Sequence, residues 1–564
     1  MAVALLVSAA TCSSPATSTS AAGPIAFSDA TATEGLVEPL LGMYAHAAAY
    51  GDVNRDGWPD LFAGGFADYP DSYYQVRGST GRSPDRLLLG GPDGFTVDTS
   101  FPSTFGRTAA AVFADFENTG YPDLVIVRHT LDDNSFGTPP TVLLRNDHGH
   151  FATPQPLADV AQGRSPAVLD YDDDGLPDLF ISHDDYFGRT GTSVLLHNKG
   201  NAQFEDVTAG AGLSGIVAFG ATAADLNGDR RPDLLVAETT PVHGPSSSPA
   251  ARIFTNNGDA TFHETPNAAF SWATYDFEDW ATGITVADLN RDARPDVVIG
   301  HHFESTVQAH TTAPIRAYLN SGLDARGDPT FTDITSASGL PPLATKSPDV
   351  QIGDFDNDGW PDLITTASSA NGSRPVVFRN TGLVDGVPQF VSPEGLGAAQ
   401  YWLNAALADI DHDGRLDVFV TDFDPNRPSL LLHNETAGGH WLDVTVAGPG
   451  QGLGARVEVY AAGNLGSPGA LLGVQEVTVA SGLGTGLAPG LHFGIGTTAT
   501  VDLRVRAARG TAVVDLVGVG ADRSLEVDPV SSPSSTIRTG STERGQAPLG
   551  GTSSQGWDTL CSYA

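Results

Sequence analysis

One ten-residue pattern recurs seven times in this chain and limits its possible folds more than any other feature. It reads "DVNRDGWPDL" from Asp52, "DFENTGYPDL" from Asp115, "DYDDDGLPDL" from Asp170 and "DLNGDRRPDL" from Asp225. It continues as "DLNRDARPDV" from Asp288, "DFDNDGWPDL" from Asp354 and "DIDHDGRLDV" from Asp409. Successive copies start 63, 55, 55, 63, 66 and 55 residues apart. A period of this size marks repeated supersecondary units that bury their apolar faces against one another.

Each copy has the same surroundings. A run of small residues such as "AAAVFAD" precedes it, and a β-branched run such as "LVIV" or "LFIS" follows. A loop of varied length leads to a third run such as "TVLLRN", and a glycine-containing turn leads to a fourth such as "QFEDVT". Four short antiparallel strands per repeat describe one propeller blade, so seven copies predict seven blades. The seventh copy has its third strand, "PSLLLHN", but no fourth; a run of the missing type stands near the N-terminus as "IAFSDAT". The expected fold class is therefore all-β: a seven-bladed β-propeller closed by the N-terminal strand, which removes an aggregation-prone edge. A small C-terminal β-sandwich-like domain follows, because "HWLDVTVAG", "GLGARVEVY" and "VDLRVRAARG" alternate with the period of strands.

The pattern places an acid at position 1, Asp, Asn or Glu at 3, Asp at 5, Gly at 6 and Asp at 9. Side chains at 1, 3 and 5 converge if the backbone coils around an ion, glycine supplies a left-handed turn, and the acid at 9 closes the shell. Hard oxygen donors favour Ca²⁺ over zinc, and up to seven ions are expected. The candidate ligands are Asp52, Asn54, Asp56 and Asp60; Asp115, Glu117 and Asp123; Asp170, Asp172, Asp174 and Asp178; and Asp225, Asn227, Asp229 and Asp233. The remaining three loops supply Asp288, Asn290, Asp292 and Asp296; Asp354, Asp356, Asp358 and Asp362; and Asp409, Asp411, Asp413 and Asp417. The copies at Asp170, Asp354 and Asp409 keep four acids and the glycine and are the best sites. Arg230 and Ala293 replace glycine in two others, at a cost of about a kcal/mol for the left-handed turn. The copy at Asp115, with Glu117 and Thr119, is expected to be weak or empty.

Lys and Arg total 29 against 67 acids, a formal net charge of −38. Such a surface repels nucleic acid and anionic lipid. No run reaches the length of a membrane span. Residues 1–23 open with a short apolar run followed by small residues, like an export segment, although the usual basic start is missing. Export to a secreted, extracellular, periplasmic or cell-surface location also suits the weak affinities of extracellular calcium modules, about 10⁻⁴–10⁻³ M. Cys12 and Cys561 are the only cysteines, which excludes a disulfide framework. The domain boundaries expected are 1–23 for the export segment, 24–436 for the propeller, 437–530 for the C-terminal domain and 531–564 for a Ser-, Thr- and Gly-rich tail, expected to be disordered.

The loops resemble the FG-GAP/VCBS repeats of integrin α-chain propellers. The stretch after Asn434, through Gly452, Gly454, Ala455 and His492 to Gly496, resembles the ASPIC/UnbV domain. Together they resemble the cartilage acidic protein family, which includes secreted animal matrix proteins and many bacterial proteins. The resemblance implies calcium loops on one propeller face and a role in binding. The family's usual Trp-Pro-x-Gly ending is replaced here by "RAARGTAVVDL".

If the metal loops share one face, the loops after each second strand lie on the other. They carry Arg128, His129, His183, Asp184, Glu238, His301, His302 and Asp422, a candidate ligand face. No nucleophile elbow, phosphate loop or HExxH appears, so the chain offers no catalytic signature. The favoured reading is a calcium-binding module for a protein or glycan partner. The alternative is an enzyme of small-molecule, natural-product metabolism working at the channel mouth, since UnbV relatives occur in such pathways. An "RGD" at Arg326–Asp328 and sequons at Asn371 and Asn434 are read as minor features.

Overall fold

The computed structural model describes residues 24–75, 81–102, 104–129, 139–157, 162–184, 191–238, 251–270, 279–303, 313–343, 349–366, 375–391, 394–395, 402–423, 429–530, 537–540 and 558–560. The expected export segment, the sequon at Asn371 and most of the expected tail lie outside these residues. No helix among the described residues is long and apolar enough to cross a membrane.

Seven sheets each contain four antiparallel propeller strands, all from one repeat in the first six and three from the repeat plus an N-terminal strand in the seventh. Their first strands are Ala45–Gly51, Thr108–Ala114, Gly163–Leu169, Ala218–Ala224, Asp279–Ala287, Val350–Gly353 and Trp402–Ala408. Each first strand packs on the next in chain order, and the last packs on the first, so the sheets close into a propeller. These strands are rich in Ala and Gly, which lets seven backbones crowd round one axis. The second strands carry the bulk: Leu124 and Ile126, Leu179 and Ile181, Val297 and Ile299 are fully or almost fully buried between neighbouring sheets. We number the blades 1 to 7 from the repeat at Asp52.

Closure occurs at the predicted place. Phe27–Asp29 is the outer strand of blade 7, with Phe27 opposite Asn434 and Asp29 opposite Leu432. Six of the seven first strands carry a bulge near their start, for instance between Gly163 and Pro166 and between Trp402 and Ala405. Bulges re-aim side chains, and these aim Phe219 and Asn404 at the axis.

After blade 7 the chain forms two sheets packed face to face. One contains Leu491–Gly496, His440–Val446 and Arg523–Val527; the other contains Leu471–Glu476, Arg456–Ala461, Thr500–Arg506 and Val513–Gly520. Leu442, Val457, Leu503, Phe493 and Val527 form the core between them. Two short strands from the expected tail, Ile537–Gly540 and Asp558–Leu560, extend the first sheet.

The C-terminal domain does more than follow the propeller: one of its hairpins fills the propeller's channel. Residues 480–486, "ASGLGTG", reach every blade. Gly486 pairs with Ala49 of blade 1 and Gly484 lies against Ala110 of blade 2 and the Arg164 carbonyl of blade 3. The Thr222 hydroxyl of blade 4 donates to the Ala480 carbonyl, and Gly482 exchanges backbone hydrogen bonds with Ile284 of blade 5. The Leu483 N–H donates to Asp349 of blade 6 at 2.6 Å, and the Asn404 amide of blade 7 donates to the Leu483 carbonyl. Glycine is required here by space as well as dihedral. Gly484 has φ +70° and a Cβ there would stand 2.5 Å from the Ala110 methyl carbon.

Candidate metal loops

The seven motif loops join first to second strands, so they share one face. The acid at position 1 organises each loop from within: in blade 1 the Asp56 and Gly57 N–H groups donate to the two oxygens of Asp52 at 3.1 and 3.0 Å. The same pair of bonds recurs at Asp170, Asp225, Asp288, Asp354 and Asp409. Position 6 has positive φ in all seven loops, including Arg230 at 69° and Ala293 at 70°. Position 4 is also left-handed in the six loops where it is not glycine, which the sequence pattern did not announce.

The acid at position 9 is the most buried. Asp60, Asp178, Asp233, Asp296, Asp362 and Asp417 are fully inaccessible. One oxygen accepts the N–H of position 2, as from Val53 to Asp60 at 2.8 Å. The other accepts an N–H from the end of the third strand, as from Asn198 to Asp178 at 2.7 Å. Burial nevertheless pushes the carboxyl of Asp60, Asp296 and Asp417 up to about 8 and that of Asp178 to about 9, against the pull of those N–H groups. The Asp123 Oδ2 of blade 2 is buried without a hydrogen bond. A divalent cation would supply the charge that such carboxylates lack. Carboxylate oxygens of Asp170, Asp172 and Asp174, of Asp354, Asp356 and Asp362, and of Asp409, Asp411 and Asp413 lie within 4.8 Å of one another. The donor sets are oxygen-rich, and they fit a hard cation.

Two imidazoles, however, also reach the loops. His197 Nδ1 stands 3.4 Å from Asp172 and 3.2 Å from Asp178, and His433 Nε2 stands 2.9 Å from Asp411. A reading of the ten-residue motif alone misses them, because they come from the third strand; the repeated "LLHN" was the available signal. The asparagine in that signature has its own task. Asn146, Asn198, Asn256, Asn320, Asn380 and Asn434 each donate from Nδ2 to the position-2 carbonyl of the preceding blade, at 2.8 to 3.4 Å. Each therefore ties two neighbouring loops together. Asn434, read as a sequon, is fully buried in this role.

The C-terminal domain sits on the same loops. Arg509 meets Asp173 at 2.6 Å, the Gly450 N–H donates to Asn118 at 2.5 Å, and His492 bridges Asn357 and Asp443 at 2.8 Å each. Asn118, Asp173 and Asn357 are all position-4 residues, turned outward by their left-handed backbone.

At the opposite end, Arg128, His129, His183, Asp184, His301 and Asp422 stand at or beside the ends of second strands and are buried, while Glu238 is half-buried. The His302 side chain is outside the described residues. Asp184 pairs with Arg164 and lies 3.7 Å from His129; Arg128 pairs with Asp85 at 3.0 Å and Glu238 with Arg252 at 2.7 Å. The arrangement is a set of internal ion pairs under the mouth. The carboxylate of Asp328, in the "RGD" turn, is buried against His263 at 2.9 Å and is not displayed.

The FG-GAP-like repeat family matches residues 243–299 and 354–420, which contain the loops of blades 5, 6 and 7. The chain is similar to cartilage acidic protein 1 of Mus musculus, 27% identical over 364 residues covering 60% of this chain and 50% of the relative. It is likewise similar to that of Homo sapiens, 26% identical over 391 residues covering 65% and 54%. The chain spans about half the length of the curated relatives it matches. Among solved structures, it is similar to the Dos1 propeller, with a TM-score of 0.35, 11% identity and coverage of 70% of this chain and 84% of that one. It is also similar to BBS1N in complex with ARL6DN, with a TM-score of 0.39, 12% identity and coverage of 70% and 94%.

Proposed function

We infer that this chain, a relative of the cartilage acidic proteins, is an exported, calcium-stabilised propeller that serves as a binding module for a protein or glycan partner. The observation that carries the reading is the sevenfold set of carboxylate loops on one face, buried at position 9 and hydrogen-bonded from within. Calcium supplies the charge these loops lack, at up to seven sites, with the blade 2 loop, where Thr119 stands at position 5, the weakest. The cation stabilises by mass action, because the ordered loops bind it and the unfolded chain does not. Millimolar extracellular calcium suits sites of this kind.

The binding reading rests on the fold's form and charge. A ring capped on one face by its own C-terminal domain leaves the other face and the rim for a partner, with variable loops between second and third strands carrying specificity. At a net charge of −38, neutral or basic partners are favoured over sulfated glycans. The catalytic alternative belongs to the channel mouth, where Arg128 pairs with Asp85 and Glu238 with Arg252.

The test is thermal unfolding of the full chain in chelator and in about 2–5 mM calcium, above the roughly 0.1–1 mM affinities of extracellular modules. Chelation should lower the midpoint by several degrees and readdition should restore it. A midpoint indifferent to calcium would remove the metal from the reading.

A further inference from the structure

The seven loops differ at position 3, and the difference is matched elsewhere in each blade. Position 3 is an acid in blades 2, 3, 6 and 7 (Glu117, Asp172, Asp356, Asp411) and an asparagine in blades 1, 4 and 5 (Asn54, Asn227, Asn290). The residue just before the end of the third strand is basic in the first group: Arg145, His197, Arg379 and His433. In the second group the equivalent residues are Leu89, Thr255 and Leu319. Acid and base occur together or not at all, in seven blades of seven.

The contacts explain the match. Arg145 grips Glu117 through two bonds of 2.6 Å. Arg379 Nε lies 2.5 Å from Asp356 and its Nη2 lies 3.5 Å from Asp358, so the guanidinium stands between the acids of positions 3 and 5. His433 Nε2 does the same, 2.9 Å from Asp411 and 3.8 Å from Asp413. In the asparagine loops the amide Nδ2 itself donates to the position-5 carboxylate: 2.9 Å from Asn54 to Asp56, 3.1 Å from Asn227 to Asp229 and 3.0 Å from Asn290 to Asp292. An amide relieves position 5 without adding charge, and in blades 4 and 5 Arg231 and Arg294 at position 7 also reach that acid; a carboxylate at position 3 adds repulsion and calls for a counter-charge.

We propose that the third-strand base is a charge-setting residue for the cation loops: by pairing with the acid at position 3 it lowers the charge that the loop presents to a divalent cation, as Arg379 does in the four-acid loop of blade 6. The proposal rests on the calcium reading above and deepens it, since the base, rather than the number of acids, then sets each loop's affinity.

Calorimetric titration of the full chain with calcium chloride, beside melts in chelator, tests this on Arg379→Leu, Asp356→Asn and the double variant. Arg379→Leu should move one calcium per chain to tighter binding, on the order of tenfold, while lowering the metal-free midpoint. Asp356→Asn should weaken one site by a similar factor, and the double variant should return both readouts towards wild type. A mirror pair on the more exposed blade 1 loop guards against misfolding: Asn54→Asp should tighten one site, and adding Leu89→Arg should reverse it. If wild type binds calcium but Arg379→Leu and Asn54→Asp do not tighten it, the charge-setting role is wrong. If wild type takes up no calcium, the calcium reading falls first and this proposal with it.

Discussion

At the residue scale, the chain spends buried charge at both ends of its channel but handles it in opposite ways. On the loop face, clustered carboxylates are left short of positive charge. On the other face, burial lowers the pKa of the imidazoles of His46, His129 and His301. His301 is buried beside Arg316, and burial first, then that guanidinium, pulls its imidazole down to about 3. Its folded value lies below the unfolded one of about 6.5. The stability it permits is therefore complete above pH 6.5 and is lost as pH falls towards 3. Between those limits the unfolded chain takes up a proton that the folded chain refuses, worth about 1.4 kcal/mol per pH unit. His301→Gln should make the dependence of unfolding free energy on pH shallower by about that amount between pH 4 and 6. Chemical denaturation of calcium-saturated wild type and variant at several pH values measures it, and equal slopes would mean that His301 is protonated in the fold.

At the scale of elements, what holds one blade to the next is as repetitive as the motif itself. The strand-three asparagine joins its own loop to the preceding one, and it does so in six blades. Blade 1 has Gly90 at this place, and its backbone N–H still reaches Asp60 at 2.9 Å. Glycine is needed there because any Cβ would collide with the Pro59 carbonyl. Asn320 shows the cost of losing the tie. It is buried, donates to the Leu226 carbonyl at 2.9 Å and accepts from the Gly322 N–H at 3.0 Å. Asn320→Ala leaves both partners short of a bond inside the protein, and should destabilise by about 1–3 kcal/mol. Asn257→Ala, in an exposed turn of blade 4, should stay within about 0.5 kcal/mol. Paired denaturation curves decide whether the tie matters. The strands, their order and the closing partner at Phe27–Asp29 were legible from sequence, because period-two patterning and a missing fourth strand are local signals. The asparagine tie and the imidazoles were not, because a loop's second partner comes from another blade or from the blade's far end, and no local pattern records who meets whom. Likewise, polarity at the second-strand ends identified Arg128, His129 and Asp184 but could not reveal that Arg164 and Asp85 cover them.

At the scale of the whole molecule, the hairpin makes propeller and C-terminal domain one object. Propellers are usually closed at the rim, where the last blade borrows a strand. This one is closed at the rim and also fastened along its axis, by seven residues that touch all seven blades. The fastening is specific. The Asp349 carboxylate of blade 6 accepts from the Leu483 N–H and the Thr485 hydroxyl of the hairpin, and from the Ala405 N–H of blade 7. Removing the hairpin would take away two of that acid's five donors, leaving Val350, Gln351 and Ala405. The alternating glycines of "SGLGTG" are what allows a strand to enter a channel lined by alanine. Gly484→Val tests the point, because a side chain there must displace Ala110 or withdraw the hairpin. We expect wild type to unfold in one calorimetric transition, and the variant to unfold in two, the first well below the wild-type midpoint. Gly469→Val, exposed on the same domain with nothing within 4 Å of the added carbon, should behave as wild type. A single, unshifted transition in Gly484→Val would show that the ring stands without its axis, and that the C-terminal domain is merely carried by it.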